Sequence, residues 1–411
     1  MNNTCFEDTL SVYFSRLFPY DYFHKWLSYG DEKTFSHREF AFNFEGERFL
    51  RHQAYKDING LKQVIKKLHP VKIDIGAVFN ISPLNSLREK RFYPVQRELI
   101  FDIDVTDYDD VRTCCKGVDM CSKCWNYMIV AVKILDAALR EDFGFENILW
   151  VFSGRRGIHC WVCDHRARLL KRDARWGVAT YLQLVTGGEF MKKKVTIGSK
   201  IHHSVKRALE VIQPVFISMC VENQDMLGTE ERVLKFLGII ADDEMRAEVQ
   251  DLFDEHCTSL TKWNAFIKFF KKQIESENEK WCKTPYLIEE IMLQYAYPRL
   301  DINVTLGMTH LLKAPFCVHP KTGKIGVPID PMDIDDFDPY NIPTILELFD
   351  EIDKFDKQAT EQGMTIEKLK EIEDVKKTSL EKYMCIFENF LQDLENTFKI
   401  TAPNDINLES D

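Results

Sequence analysis

Glu98-Leu-Ile-Phe-Asp-Ile-Asp-Val-Thr-Asp-Tyr108 places two carboxylates two residues apart in a run of otherwise apolar, β-branched and aromatic side chains. The alternation predicts a strand, with Asp102 and Asp104 projecting from one face and Phe101, Ile103 and Val105 from the other, towards a core. Two acids so placed have Cα atoms roughly 6.5 Å apart, at about 3.3 Å per residue. That spacing suits carboxylates converging on divalent ions about 3.5 to 4 Å apart. Without cations the pair repels and one member tends to stay protonated. A hard, oxygen-ligated cation, Mg²⁺ or Mn²⁺, removes the conflict. A solvated edge strand carrying two acids is the competing reading, so the rest of the chain must decide.

The chain has 411 residues, 45% of them hydrophobic and 12% aromatic, enough for one large or two ordinary domains and too apolar for general disorder. No apolar run approaches a membrane span, and the first residues lack a basic segment followed by an apolar one, so a soluble intracellular protein is expected. Twelve cysteines in that setting are expected to be reduced thiols or metal ligands. A net charge of −11 argues against a general electrostatic grip on nucleic acid. Any polyanion must be held locally, through metals and a confined basic patch.

Upstream, Glu39-Phe-Ala-Phe-Asn-Phe44 alternates, Glu45-Gly46 reads as a turn and Arg48 to His52 as the return strand, with Glu39 opposite three phenylalanines. Lys72 to Phe79 reads as a strand with Lys72 and Asp74 on one face, either as a surface ion pair or beside Asp102 and Asp104. Downstream, Cys114-Cys115-x5-Cys121-x2-Cys124 sets four thiols within eleven residues. Such a set can close a tetrahedral zinc site, which would be structural because four protein ligands leave no place for substrate. The helix predicted next, Trp125 to Arg140, has an apolar face that needs no cofactor.

Ile148 to Cys163 reads as two apolar strands joined by Ser153-Gly-Arg-Arg-Gly157. The glycines permit a tight turn whose N–H groups face an anion, and the arginines offer fork-shaped donors to phosphate oxygens. His159 lies close enough to join them. Cys160 and Cys163, three apart in a strand, face opposite ways and make a poor metal or redox pair. From Asp164 to about Tyr297 amphipathic segments predict helices, and Lys192-Lys193-Lys194 reads as a solvated or template-side basic patch. Pro298 to Thr305 is expected to be strand-like, with Asp301 as a third carboxylate. Lys313 and His319 are isolated basic groups in apolar surroundings, and Phe316 to Ile329 forms a hairpin turning at Pro320 to Gly323. Asp330 to Asp411 reads as an acidic, proline-interrupted linker with one amphipathic helix, Leu380 to Phe398.

Asp102, Asp104 and Asp301 for cations, with Arg155, Arg156, His159, Lys313 and His319 for phosphates, compose a site for a nucleoside triphosphate and its metals. In-line attack of a hydroxyl on the α-phosphorus needs one metal at the attacking oxygen and another at the pyrophosphate. That is nucleotidyl transfer.

Phe101-Asp-Ile-Asp-Val-Thr-Asp-Tyr-Asp-Asp110, the cysteine cluster, Ser153 to His159, Arg299-Leu-Asp-Ile-Asn-Val304 and His310-Leu-Leu-Lys-x-Pro-Phe-x-Val-His-Pro320 resemble, in this order, the catalytic small subunits of eukaryotic DNA primase. The resemblance runs to about Pro328. It implies the α/β (α+β) fold of the archaeo-eukaryotic primases: a mixed-sheet catalytic core over residues 1–164 and 298–411, carrying the zinc motif 114–124, and an inserted, largely helical subdomain over 165–297. By position, Asp102, Asp104 and Asp301 match the aspartates that bind two Mg²⁺ or Mn²⁺ ions, Glu39 matches an acidic active-site position, and Cys114, Cys115, Cys121 and Cys124 match structural Zn²⁺ ligands. Ser153, Gly154, Arg155, Arg156, Gly157, His159, His310, Lys313 and His319 resemble the triphosphate-binding groups, and Arg51, Lys72 and Asp74 fall where further nucleotide contacts lie. The implied activity is DNA-directed RNA primer synthesis from ribonucleoside triphosphates on a single-stranded DNA template. The implied partners are a large primase subunit carrying an iron–sulfur cluster, in a heterodimer, and the DNA polymerase alpha complex, in the nucleus. Two other classes fit parts of the sequence: a metal-dependent sugar-nucleotide transferase, which also uses Asp-x-Asp with Mn²⁺, and a non-catalytic zinc-dependent nucleic-acid-binding subunit.

Overall fold

Strands form where branched and aromatic residues alternate with polar ones, and helices where the apolar period lengthens. The computed structural model describes residues 3–86, 88, 90–187 and 191–401. It divides into two compact units, one of Met1–Asp102, Phe145–Trp176 and Ile302–Asp411, the other of Ile103–Gly144 and Gly177–Asp301. The fold is α+β.

Among the described residues nine strands carry the sheets: β1 (Arg38–Asn43), β2 (Phe49–Gln53), β3 (Lys72–Phe79), β4 (Pro94–Gln96), β5 (Leu99–Asp104), β6 (Ile148–Phe152), β7 (Gly157–Val162), β8 (Leu312–Lys313) and β9 (Pro328–Ile329). The first sheet runs β2-β1-β3-β4, with β8 also paired to β3, and the second runs β5-β7-β6-β9. β1 lies antiparallel to β3 with Ala41 opposite Asp74, and β8 sets Lys313 opposite Asp74. Glu39, Asn43, Lys72, Asp74 and Gly76 therefore share one face of this sheet, while Phe40, Phe42, Ile73 and Ile75 fill the other and are wholly or almost wholly buried. In the second sheet β6 and β7 form the expected hairpin, with Val151 opposite His159.

The first unit is closed by aromatic packing. Phe387, on the C-terminal helix Glu381–Thr401, meets Phe23, Trp26 and Phe316, and Trp26 meets Trp161 edge-on with centroids 5.2 Å apart. Beneath it lies a charged core. Glu98, just before β5, has no exposed side-chain surface. It accepts from Arg38 Nη2 at 2.9 Å, Arg97 Nη1 at 2.9 Å and the Tyr29 hydroxyl at 2.6 Å. The same arginines donate to the carbonyls of Gly76 and Ile75 on β3. The root of β5 is thereby tied to β1 and β3.

In the second unit the helix Ser122–Glu141 packs against the helix His203–Phe216, and Phe236, Phe253, Trp263 and Phe266 form its aromatic core. Pro214 sits inside the latter helix, which continues as a π-helical segment, Ile217–Asn223. Among the described residues no helix is long and apolar enough to cross a membrane.

Three sequence expectations change. The strand at Glu98–Tyr108 stops at Asp104, whose carboxylate caps a single helical turn, Val105–Tyr108. The strand-like run Pro298–Thr305 is instead an irregular stretch followed by a short helix, Ile302–Leu306, because so few alternating residues fit either period. The segment read as an acidic linker holds the helices Ile345–Glu361 and Ile366–Glu371. Its Thr344–Glu347 capping box and the buried Ile345, Leu348 and Ile352 were masked by the acidic composition.

Glu98 is held well below the usual carboxylate range by Arg38 and Arg97, which overcome the opposing effect of burial. Its contribution to stability is therefore complete above the unfolded carboxyl pKa of about 4.3 and is lost as pH falls below it. Glu98→Gln, which strands two buried guanidinium groups, should cost about 3 to 5 kcal/mol. Urea denaturation followed by circular dichroism at pH 7 measures this, and an unchanged midpoint refutes the anchoring role.

Candidate active site and candidate metal centre

On the first sheet, alternation in β1 turns Glu39 away from the phenylalanines, and its side chain is fully buried. Its Oε1 accepts from Arg51 Nε at 2.8 Å and from the His52 N–H at 3.2 Å, and His52 Nδ1 lies 3.1 Å away. Arg51 also donates to the Thr309 carbonyl at 2.8 Å. His52 is a non-glycine residue at φ +58°, a left-handed conformation that turns both its N–H and its ring onto the carboxylate. Gly76 is required by contact: a Cβ there would stand 2.8 Å from both Cβ and Oε2 of Glu39. Two strands away from β2, Asp74 pairs with Lys72 at 2.8 Å and accepts from Asn43 at 2.9 Å.

Opposite Asp74 on β8, Lys313 is buried and donates to the Ser153 carbonyl at 3.0 Å, which brings the Ser153–Gly157 turn to the edge of the first sheet. The Ser153 hydroxyl accepts from the Gly157 N–H at 3.1 Å, and Gly154, at φ +88°, passes against His319 with no room for a side chain. Thr322 donates to the Gly154 carbonyl and fixes the second hairpin on the first. Desolvation pushes Lys313 down to about 8, with Lys72 contributing. His319 is pushed down to about 3, first by burial and then by the fields of Lys313, Arg155, Lys321 and Arg156. These causes make the site a concentration of positive charge in a partly dry setting. An anion would relieve it.

The three aspartates divide. Asp102 belongs to the first unit, where its Oδ1 lies 3.6 Å from His159 Nε2. Asp104 shares its strand face; both side chains are partly exposed while Phe101 and Ile103 are buried, as alternation requires. Asp104 Oδ1 accepts from the Thr106 N–H and hydroxyl at 2.9 and 2.8 Å. Asp301 lies in the second unit, exposed, immediately before the short helix. His310 follows the turn at Gly307.

In the second unit Cys114, Cys115, Cys121 and Cys124 converge, with all four sulfurs within 4.8 Å of one another. A tetrahedron with metal–sulfur bonds of about 2.3 Å has edges of about 3.8 Å; Cys121 and Cys124 Sγ are 3.9 Å apart. The set fits a tetrahedral thiolate-bound ion, with zinc the natural occupant. Donors favour the Cys124 thiolate, which in turn holds the Cys114 thiol up, while burial holds up the Cys115 thiol. Cys124 Sγ is held down to about 5, chiefly by the Cys114 thiol, with help from the Cys121 N–H and from Arg112. Arg112 also donates to the carbonyls of Gly117 and Asp119 and pairs with Asp109, so it shapes the loop as well as the sulfurs. The wholly buried Gln224, delivered by the end of the π-helical segment, donates to Cys114 Sγ at 3.4 Å and accepts from the N–H groups of Thr113 and Cys114.

His52, Gly76, Arg112 and Gln224 were not singled out from the sequence. Gly76, a glycine inside a strongly apolar strand, carried a readable hint of close approach. The other three carried none, because their roles depend on which segments meet.

A protein-family model described as the DNA primase small subunit matches residues 101–331. The DNA primase small subunit of Drosophila melanogaster is 43% identical over 409 residues, spanning 97% of this chain and 93% of the fly protein. Those of Schizosaccharomyces pombe and Saccharomyces cerevisiae are 36% and 34% identical, over 88% and 84% of this chain and 81% and 85% of their own lengths.

Two outcomes follow from the geometry. Elemental analysis of the purified protein should find one tightly held zinc per chain, absent from Cys124→Ser. Gln224→Ala should release it to a chromogenic chelator about 10 to 100 times more readily; equal release would show that Gln224 does not support the cluster.

Proposed function

The chain belongs to the DNA primase small subunit family, and from that premise we propose that it joins ribonucleoside triphosphates on a single-stranded DNA template by two-metal nucleotidyl transfer. It is an enzyme, a nucleotidyltransferase that makes the primers from which DNA replication starts. The observation that carries the finer reading is the gathering of Arg155, Arg156 and the buried Lys313 around the Ser153–Gly157 turn, with His319 beside them.

In this reading the turn and Lys313 hold the triphosphate. Arg155 and Arg156 supply paired donors to its oxygens, Lys313 supplies a point charge made potent by desolvation, and His319, neutral at physiological pH, adds a donor without further repulsion. His159 steadies Asp102 from the return strand. Asp102, Asp104 and Asp301 would hold two Mg²⁺ or Mn²⁺ ions, which when bound acidify the attacking hydroxyl and balance charge on the departing pyrophosphate. Their all-oxygen donor set suits those hard ions. Glu39, fixed by Arg51 and His52, is a buried acid at the same sheet face as Asp74 and Lys72, and these groups orient the nucleotide.

A small subunit implies a large one. We assign as partners a large primase subunit carrying an iron–sulfur cluster and the DNA polymerase alpha complex, and a nuclear location. The net charge of −11 supports this reading, since a chain with little general hold on DNA needs help to keep its template.

Asp102→Ala combined with Asp104→Ala should abolish dinucleotide synthesis on poly(dT) with ATP and Mn²⁺ while circular dichroism stays unchanged; surviving synthesis refutes the metal assignment. The Lys313 ammonium, near 8 in the unliganded site, is charged below that pH and neutral above it. The apparent KM for ATP should therefore climb above pH 8, and Lys313→Arg should flatten that rise. A flat wild-type profile from pH 7 to 9 removes Lys313 from the triphosphate site.

A further inference from the structure

Asp110 lies in the second unit and is shared by two cations: Lys194 Nζ at 3.0 Å from Oδ2 and Arg299 Nη2 at 3.3 Å from Oδ1, with only 12% and 11% of those basic side chains exposed. A third cation feels the same group. Lys235 is held below the usual lysine range by desolvation and by the fields of Lys194 and Arg299, against the pull of Asp110 and Glu231. Three positive charges thus gather at Asp110, with Glu231 a further acid acting on Lys235, on a chain whose overall balance is −11.

The group is built rather than incidental. Gln294, itself buried, accepts from the Lys194 N–H at 2.7 Å and donates to the Lys192 carbonyl at 2.8 Å, while its own carbonyl accepts from Arg299 Nη2 at 2.8 Å. One side chain and its backbone therefore hold both cation-bearing segments. The Arg299 N–H is committed to the Tyr108 hydroxyl at 3.1 Å. Lys193 is turned away, paired with the buried Glu290 at 2.7 Å. Lys192 lays its stem against Gly238, where a Cβ would come within 2.8 Å of Lys192 Cδ. Gly238 directly follows the helix Glu230–Leu237 that carries Lys235.

We propose that Lys194, Lys235 and Arg299, arrayed around Asp110, bind a phosphodiester group of the nucleic-acid backbone. The inference rests on the reading of the chain as a primase and assigns it a phosphate contact. Side chains alone face the ligand, because the N–H groups of Lys194 and Arg299 are already taken. That is the pattern of contacts that position a strand without reading its bases, whereas a triphosphate cradle recruits glycines and open backbone N–H groups. Asp110 holds the cations in place when no strand is bound and is a repulsive neighbour when one is.

The test uses the full-length protein and fluorescein-labelled single-stranded oligo(dT), followed by anisotropy across a salt series. Lys194→Gln with Lys235→Gln should weaken binding about four-fold per lysine at 0.15 M salt and reduce the salt slope by about 0.7 per lysine. Asp110→Asn should tighten binding, because it removes the competing charge. An unchanged affinity and slope in the lysine variants overturns the proposal, as does weaker binding by a folded Asp110→Asn protein, which would mark the group as structural. Should Asp110→Asn fail to fold, Lys235→Gln, at an exposed position, decides alone through its slope. Loss of ATP affinity without loss of oligo(dT) affinity would reassign the cations to the nucleotide and equally overturn the inference. Binding of oligo(dT) needs no catalysis, so failure here is distinguishable from failure of the proposed reaction.

Discussion

Everything in the first unit depends on one fully desolvated ionic contact, Glu98 between Arg38 and Arg97. Arg175, also without exposed surface, donates to the carbonyls of Arg97, Glu98 and Leu170, so three buried guanidinium groups surround one carboxylate. Such an excess is tolerable only because backbone carbonyls take up the surplus donors. Those carbonyls are positional information. They belong to β3, to the approach to β5 and to Leu170, and satisfying all of them fixes where β5 begins. A hydrophobic core of equal volume would be at least as stable; it would not specify register in this way. Asp102 stands four residues from Glu98 on a strand that cannot slide without stranding charge.

The sheet anchored by that ion-paired cluster lies beside a second cluster, in which basic groups crowd one another. Lys313, which donates to the Ser153 carbonyl, crowds together with Arg155, Arg156 and His319, and the consequence is visible in the depressed Lys313 and His319. The two clusters differ in hydration and in partners, not in residue type. At Glu98 the cations are matched within the fold. At the turn Lys313, Arg155 and Arg156 act together on His319, and an anion bound there would relieve their mutual repulsion, which is how a stable scaffold keeps binding energy for a ligand.

Legibility followed range. The Asp-x-Asp strand, the Ser153–Gly157 hairpin and the cysteine cluster are local patterns, and each folds as its spacing demands: alternation puts Phe101 and Ile103 inside, and four thiols within one loop meet. The strand expectation around Asp301 fails because Ile302-Asn-Val-Thr is too short for period 2 and period 3.6 to separate, and the helix won. The helix Ile345–Glu361 was missed for another reason, since acidic composition was weighed above a capping box and an apolar period. What no local pattern could give was the pairing of Glu39 with His52, the seat of Lys313 opposite Asp74, or the reach of Gln224 to Cys114 across 110 residues. These arise from register and topology, and a sequence states neither.

Charge placement links these findings. A uniformly basic surface would raise affinity for any polyanion at the expense of discrimination and would screen poorly in salt. This chain stays acidic overall and gathers cations at places where backbone geometry or a buried amide fixes them, the glycine-bounded turn held by Lys313 and the Gln294-pinned segment at Lys194. Anion contact is thereby tied to shape: a ligand is held only if its phosphates fall where those few groups are. For a nucleotidyltransferase that must bind and then release its ligands, sparse and geometrically fixed cations serve better than many mobile ones, because each contact can be lost without a diffuse field retaining the product.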